Sequence, residues 1–268
     1  MRNLVVRMST RQRGFTIIEV AIVLLVVSTL LGFTVAMFPV QQELKQYRKV
    51  NDEMQEIMDA LTGFAQVNGR LPCADGDNDG LEDWPGGVAD CTSWYGNVPA
   101  RTIAFDGKYS QGGTLIDPWG TPYRYQVSAF NSGFPAPDDL VGDFTVFSAG
   151  LAGMRAAGIP NLIPDLQVCN IQPAAHSAAT PNDDTACDAN TDVVTNVVAV
   201  VVSLGKDKDA VVANTSDIQS ENLDNSLTDT VFVSSTRSSA SGNEYDDVVK
   251  WLSPNVLFSK MIAADQLP

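Results

Sequence analysis

The sequence predicts an α+β protein with a long amino-terminal helix, made of a membrane half and an amphipathic half. This helix is expected to pack on an antiparallel β-sheet head with long loops and a short carboxy-terminal helix. Three observations support the prediction: an apolar run at 15–38, a helical apolar stripe at 39–67, and short β-rich segments separated by polar loops within 68–268. A basic leader at 1–14 precedes them.

The run at 15–38 is long enough to cross a lipid bilayer as a helix. At about 1.5 Å per residue it would span the roughly 30 Å hydrocarbon core. Its single charged residue is Glu19. An ionised side chain deep in lipid costs about 2.5–3.5 kcal/mol on insertion scales, so Glu19 is expected to have a partner. The run is too long for the apolar core of a cleaved secretory signal and lacks a small-x-small site.

The segment 39–67 follows the spacing of an amphipathic helix. Apolar residues recur every three or four positions, and a coiled-coil dimer is the competing interpretation. The predicted helix ends at Asn68–Gly69, because this dipeptide favours a turn. The predicted stripe consists of Val40, Leu44, Tyr47, Val50, Met54, Ile57, Leu61 and Phe64.

The head contains short segments of strand composition between long loops. Predicted strands lie at 122–127, 143–148, 193–204, 230–234 and 246–252, and the regions 164–192 and 234–243 are expected to be irregular. A short helix is expected over 254–264, because Ser253 suits a helix cap and Pro254 suits the first helical position.

The charge of the chain is strongly acidic. The formal net charge is −15, with 17 basic and 32 acidic residues, and four of the arginines precede the apolar run. Nucleic-acid binding needs clustered Lys and Arg, so no nucleic-acid partner is expected. An acidic surface usually serves solubility, and here it also permits a divalent cation.

Four cysteines lie in polar, turn-rich surroundings: Cys73, Cys91, Cys169 and Cys187. An even number without C-x-x-C, beyond a membrane span, indicates two disulfides and a head outside the cytosol. Three pairings are possible, and the local ones join Cys73 to Cys91 and Cys169 to Cys187. Four reduced, buried thiols are the alternative. A local loop of this size would stabilise the fold by about 3 kcal/mol.

The segment "DGDNDGLED" at 75–83 is the candidate metal site. Alternating aspartates followed by Gly80 form the first half of a calcium loop, but Gly86 stands where an EF-hand has glutamate. A solvated acidic turn pinned by Cys73 is the alternative. The expected calcium ligands are Asp75, Asp77, Asp79, Glu82 and Asp83.

No catalytic group of residues stands out in the sequence. His176 is the single histidine, so a histidine-based metal site is excluded, and nothing places a serine beside it. We therefore expect a structural or binding protein rather than an enzyme, and a membrane-anchored periplasmic enzyme is the third alternative.

The stretch "RGFTIIEVAIVLLVV" resembles the amino-terminal signature of type IV pilins and type II secretion pseudopilins. The resemblance implies that prepilin peptidase cuts after Gly14 and that Phe15 is then N-methylated. It implies that Glu19 pairs with the terminal amine of a neighbouring pilin or pseudopilin subunit. It also implies a single-pass inner-membrane precursor with a periplasmic head, and a periplasmic or cell-surface filament after assembly.

The head extends this resemblance through "DPWGTPYRY" at 117–125, which is similar to a motif at the first strand of the head in major pseudopilins. Calcium in those proteins sits late in the head, where this chain offers scattered acids. These acids are Asp207, Asp209, Asp217, Glu221 and Asp224. The size of the chain favours a minor pilin or minor pseudopilin. The alternative is a calcium-dependent adhesin or substrate-binding module carried on such a filament.

Overall fold

The structure is a computed structural model. It describes residues 14–85, 91–130, 142–145, 153–173, 186–208, 218–223, 230–240 and 243–268, without the side chains of 34–40 and 243. Backbone contacts divide the chain into two units, Met1–Tyr47 and Arg48–Pro268. The division predicted at residues 14, 38 and 67 concerns processing and function, and it stays a prediction.

The helices and strands confirm the predicted α+β class. The helices are α1 (Ile17–Asn68), α2 (Met154–Ala157) and α3 (Pro254–Ala263). The strands are β1 (Tyr95–Asn97), β2 (Arg124–Val127), β3 (Leu166–Cys169), β4 (Asp192–Val197), β5 (Ala199–Ser203), β6 (Val231–Val233), β7 (Ser238–Ala240), β8 (Asn243–Tyr245) and β9 (Val248–Leu252).

In the first unit, the apolar side chains described between Phe15 and Phe33 are exposed. Phe15 is 80 % exposed, Leu25 66 % and Phe33 74 %. Along the described part of the chain, no helix has both the length and the hydropathy of a bilayer-crossing helix.

In the second unit, α1 buries an apolar stripe. Val50, Met54, Ile57 and Leu61 are completely buried, as their spacing of three or four residues predicts. The helix ends at Asn68, and the N–H of Gly69 donates to the carbonyl of Ala65 at 2.8 Å. Gly69 has φ 71°, a left-handed conformation that glycine adopts without strain and that commonly ends helices.

The main sheet of the head has the order β1-β2-β5-β9, and each pairing is antiparallel. Its central strand β5 is buried on both faces. Ala199 and Val201 join the core with α1 and α3, while Val200 and Val202 join a second core against the smaller sheet. Burial on both faces explains why this strand is a continuous apolar run rather than an alternating one.

The smaller sheet has the order β4-β3-β6, and its β3–β6 pairing is parallel. Strand β3 lies inside 164–192 and strand β7 inside 234–243, two regions that were expected to be irregular. Conversely, 143–145 forms a turn rather than the predicted strand, and 146–148 lies outside the described residues. Phe144 is nevertheless fully buried, and its carbonyl accepts the N–H of Leu71 at 2.7 Å.

The terminal helix confirms its prediction closely. Ser253 occupies the N-cap position and Pro254 the first helical position, although the Ser253 side chain makes no capping hydrogen bond. Leu257 and Met261 are fully buried in the core shared with α1 and the main sheet. The helix is therefore part of the core of the head.

Candidate functional site

The amino-terminal site lies at the start of α1. The N–H of Thr16 donates to Glu19 Oε2 at 3.5 Å, and the N–H of Glu19 donates to Thr16 Oγ1 at 3.3 Å. This reciprocal pair is a capping box, which satisfies two backbone donors that have no partner inside the helix. The Glu19 carboxylate also lies at the positive end of the helix dipole.

The residues before the cap are open to solvent. Gly14 and Phe15 precede the first helical residue, and a Cβ added at Gly14 would meet no atom within 4 Å. An exposed segment outside a helix or strand is the form in which a peptidase can reach a bond. The predicted roles of Gly14, Phe15 and Glu19 in processing and assembly stay predictions. The capping bond of Thr16 was missed, although the pattern Thr-x-x-Glu at a helix start could have revealed it.

The acidic loop at 75–83 is organised around the Asp75 carboxylate. Its Oδ1 accepts the N–H groups of Asn78 at 2.7 Å and Asp79 at 3.2 Å, and its Oδ2 accepts that of Gly80 at 3.0 Å. Asn78 and Gly80 have φ values of 69° and 84°. Asp75 is fully buried, and its carboxylate holds the backbone of the loop in place through these three hydrogen bonds.

Strand β1 positions Asp75 and the loop around it. The backbones of Asp75 and Asn97 exchange two hydrogen bonds, at 3.0 and 2.7 Å, and Asn97 Nδ2 donates to Asn78 Oδ1 at 2.6 Å. A Cβ at Gly96 would lie 2.4 Å from the Asp75 carbonyl oxygen. Glycine at this position therefore permits the close approach of loop and strand.

Burial raises the pKa of the Asp75 carboxyl to about 6 from its ordinary value of 3.8. The three backbone hydrogen bonds act in the opposite direction, and the nearby charge of Asp79 raises the pKa further. Burial has the largest effect of these, and it raises the pKa because removing a carboxyl group from water disfavours its charged form.

Three of the predicted metal ligands converge. One carboxylate oxygen from each of Asp75, Asp77 and Asp83 lies within 4.8 Å of the other two. Asp77 Oδ1 accepts the N–H of Asp79 at 3.2 Å, and Asp83 Oδ2 accepts that of Gly76 at 2.8 Å. Carboxylate oxygens are the ligands that Ca²⁺ prefers, so this donor set fits calcium chemically.

The other two predicted ligands have different partners. Glu82 forms a salt bridge with Arg70, whose two terminal nitrogens lie 2.6 and 2.7 Å from its oxygens. Asp79 Oδ1 accepts the N–H of Leu81 at 2.7 Å. The structure therefore groups Asp75, Asp77 and Asp83, and it places neither Glu82 nor Asp79 in that group.

Both local disulfides are present. Cys73 is bonded to Cys91 and Cys169 to Cys187, with S–S distances of 2.03 and 2.02 Å. All four cysteines are therefore paired, as predicted. The first bond ties the acidic loop to the segment leading into β1, and the second ties the end of β3 to the segment before β4.

The late acidic residues of the head are only partly described. Glu221 is buried, with 1 % exposure, and Asp207 Oδ2 accepts Gln219 Nε2 at 3.3 Å. The remaining predicted acids lie outside the described residues, and so does His176; these acids are Asp209, Asp217 and Asp224.

Comparison with known protein families gives a match at the amino terminus. Residues 9–35 match the family described as "Prokaryotic N-terminal methylation motif". No curated protein and no solved structure matches the chain. The match contains Gly14, Phe15 and Glu19, and the described head lies outside it. The chain therefore carries the prokaryotic N-terminal methylation motif, which is the signal of type IV pilins and pseudopilins.

Proposed function

We propose that this chain is the precursor of a structural subunit of a type IV pilus or a type II secretion pseudopilus. The match of residues 9–35 to the methylation motif is the observation that carries the proposal. The motif indicates a pilin-like precursor. The motif supports a structural subunit for this chain.

The processing step rests on the two residues before the helix. Prepilin peptidase would cut after Gly14, and the new amine of Phe15 would be methylated. Residues 15–38 would anchor the precursor in the inner membrane and later lie in the filament core. The exposed apolar side chains described between Phe15 and Phe33 supply the surface that either role requires.

The size of the chain supports a minor subunit. Cleavage after Gly14 would remove only the first 14 of 268 residues, and the remainder exceeds a typical major subunit. The segments 75–100 and 164–192 would face partners. The Cys73–Cys91 disulfide anchors the segment 75–100 to Cys73 just before it, and the Cys169–Cys187 disulfide lies within 164–192. Such bonds limit the conformational entropy that a binding loop loses.

Substitution of Gly14 by Ala tests the processing claim. In cells with active prepilin peptidase, Gly14→Ala is expected to keep its leader, while the wild type loses residues 1–14 and gains one methyl group. Intact mass measurement distinguishes the two forms. Gly32→Ala is the matched control, because a Cβ at Gly32 also meets no atom within 4 Å. Mature-sized Gly14→Ala protein would refute the proposal.

The second candidate is a calcium-dependent adhesin or substrate-binding module on the same filament. The convergence of Asp75, Asp77 and Asp83 favours it. Calcium is expected to raise the melting temperature of the wild type and to have no such effect on Asp77→Asn. Asp188→Asn is the control, since it removes an acid outside the loop. A ligand captured only without chelator would support the binding role, whereas equal melting shifts in both variants would refute the calcium site.

A further inference from the structure

Arg70 is a buried cation at the foot of the acidic loop. Its side chain is only 5 % exposed, and the side chain of its partner Glu82 is 13 % exposed. Both terminal nitrogens donate to the Glu82 carboxylate, and Nη1 also donates to the Leu71 carbonyl at 3.1 Å. A paired charge this deeply buried is screened far less by solvent than a surface pair, and removing one partner is strongly destabilising.

Two aromatic rings hold the guanidinium group in place. Its central carbon lies 5.2 Å from the ring centroid of Phe64 and 4.2 Å from that of Trp84. Phe64 belongs to the last turns of α1, and Trp84 directly follows the acidic loop. A planar guanidinium stacks on rings and binds a carboxylate with two parallel bonds, which a lysine cannot reproduce.

Glu82 connects the pair to two further segments. Its Oε2 accepts the N–H of Cys73 at 3.1 Å, and its own N–H donates to Thr102 Oγ1 at 2.8 Å. The pair therefore joins the end of α1, the first disulfide, the acidic loop and the turn at residue 102. The bond to Cys73 fixes the end of the loop at Glu82 relative to its start, and the bond to Thr102 ties the same residue to a neighbouring turn.

We propose that Arg70 is the positioning residue of the acidic loop at 75–83. Through Glu82 it holds Asp75, Asp77 and Asp83 together before any cation arrives, and Glu82 is a clamp rather than a ligand. Carboxylates this close repel one another, so an unclamped loop would open. The functional meaning of this clamp rests on the calcium-binding candidate proposed above, but its effect on loop shape does not.

Amide hydrogen exchange of the full chain in detergent with chelator tests the clamp. The reporters are the N–H groups of Asn78, Asp79 and Gly80, which donate to Asp75. Arg70→Lys and Glu82→Gln are expected to accelerate their exchange about tenfold or more, while β5 amides keep wild-type rates. Lys49→Gln is the control, because it breaks the pair between exposed Lys49 and partly buried Glu53 on α1, away from the loop.

Two results would overturn the clamp. One is an exchange rate of the loop amides in Glu82→Gln that equals their rate in Lys49→Gln. The other is equal acceleration in the loop and in β5, which would show general destabilisation instead. If Arg70→Lys fails to fold, Glu82→Gln decides alone, since it keeps the size of the side chain.

Calcium titration of the same samples separates the clamp from the calcium site. If Glu82 were a ligand, Glu82→Gln would weaken calcium binding without changing loop exchange in chelator, and this result also overturns the clamp. If the wild-type loop gains no protection from calcium, the calcium candidate fails, while the exchange rates in chelator still decide the clamp.

Discussion

Asp117 is a buried acid that organises the turn before β2. Its Oδ1 accepts the N–H groups of Trp119 and Thr121, each at 2.9 Å, and its Oδ2 accepts the hydroxyl of Ser203 at 2.7 Å. Burial raises the pKa of this carboxyl above its ordinary 3.8, although the hydrogen bonds act against burial. The side chain therefore links the "DPWGTPYRY" turn to the central strand of the main sheet.

This pKa shift predicts how stability depends on pH. Above pH 3.8 the unfolded carboxyl loses its proton first, so the folded state binds more protons and the contribution of Asp117 to stability falls as pH rises through its raised pKa. Asp117→Asn keeps an acceptor for the two N–H groups and cannot ionise. Its free energy of unfolding, measured by urea titration from pH 3.5 to 7, should lack this decline.

Asp117→Ala is the companion variant. It leaves buried donors without an acceptor, which costs about 1–3 kcal/mol for such a group. It should be less stable than Asp117→Asn at every pH. Identical pH profiles for the wild type and Asp117→Asn would contradict the assignment of the shift to this residue.

At the scale of elements, the periodicity of apolar residues predicted those helices and strands whose burial pattern is visible in their own local sequence. The stripe of α1 and the apolar run of β5 were predicted because Val50 to Leu61 and Val200 to Val202 reveal their burial locally. Strand β3 was missed, because it pairs with β6 more than 60 residues further along. A segment of only four residues without a neighbouring turn signal gives no indication in the sequence that it pairs with a distant parallel strand.

The acidic loop shows the same limit for the site. Spacing alone makes Glu82 as good a ligand as Asp83. The distinction depends on Arg70, which lies before Cys73 and becomes the partner of Glu82 only when the loop folds back. By contrast, the capping box of Thr16 and Glu19 could have been predicted from the sequence, because both partners lie within one helical turn.

The two disulfides allow a matched test of loop closure. Each joins cysteines separated by 18 residues, so the chain-entropy account predicts the same stabilisation of about 3 kcal/mol for both. The double variants Cys73→Ala with Cys91→Ala and Cys169→Ala with Cys187→Ala should lose similar free energies of unfolding. A larger loss for the first pair would measure native contacts of the acidic loop, and no loss in either would contradict the account.

At the scale of the whole molecule, the two units divide the work of the proposed subunit. The second unit holds both apolar cores, both disulfides and the acidic loop. Between Phe15 and Phe33, the first unit exposes its apolar side chains, and Glu19 is the one acid in that described stretch. Assembly is therefore expected to depend on the first unit, and stability of the head on the second.

Glu19→Ala tests that division. The variant should still lose its leader, because Gly14 and Phe15 are unchanged, but it should enter filaments poorly, because a neighbour's amine would find no carboxylate. Thr16→Ala is the matched control, since it removes the local cap and keeps the Glu19 charge. The measurement is the share of mature protein in sheared filaments against the membrane fraction. Wild-type incorporation of Glu19→Ala would refute the pairing, and equal losses in both variants would assign the effect to the helix cap instead.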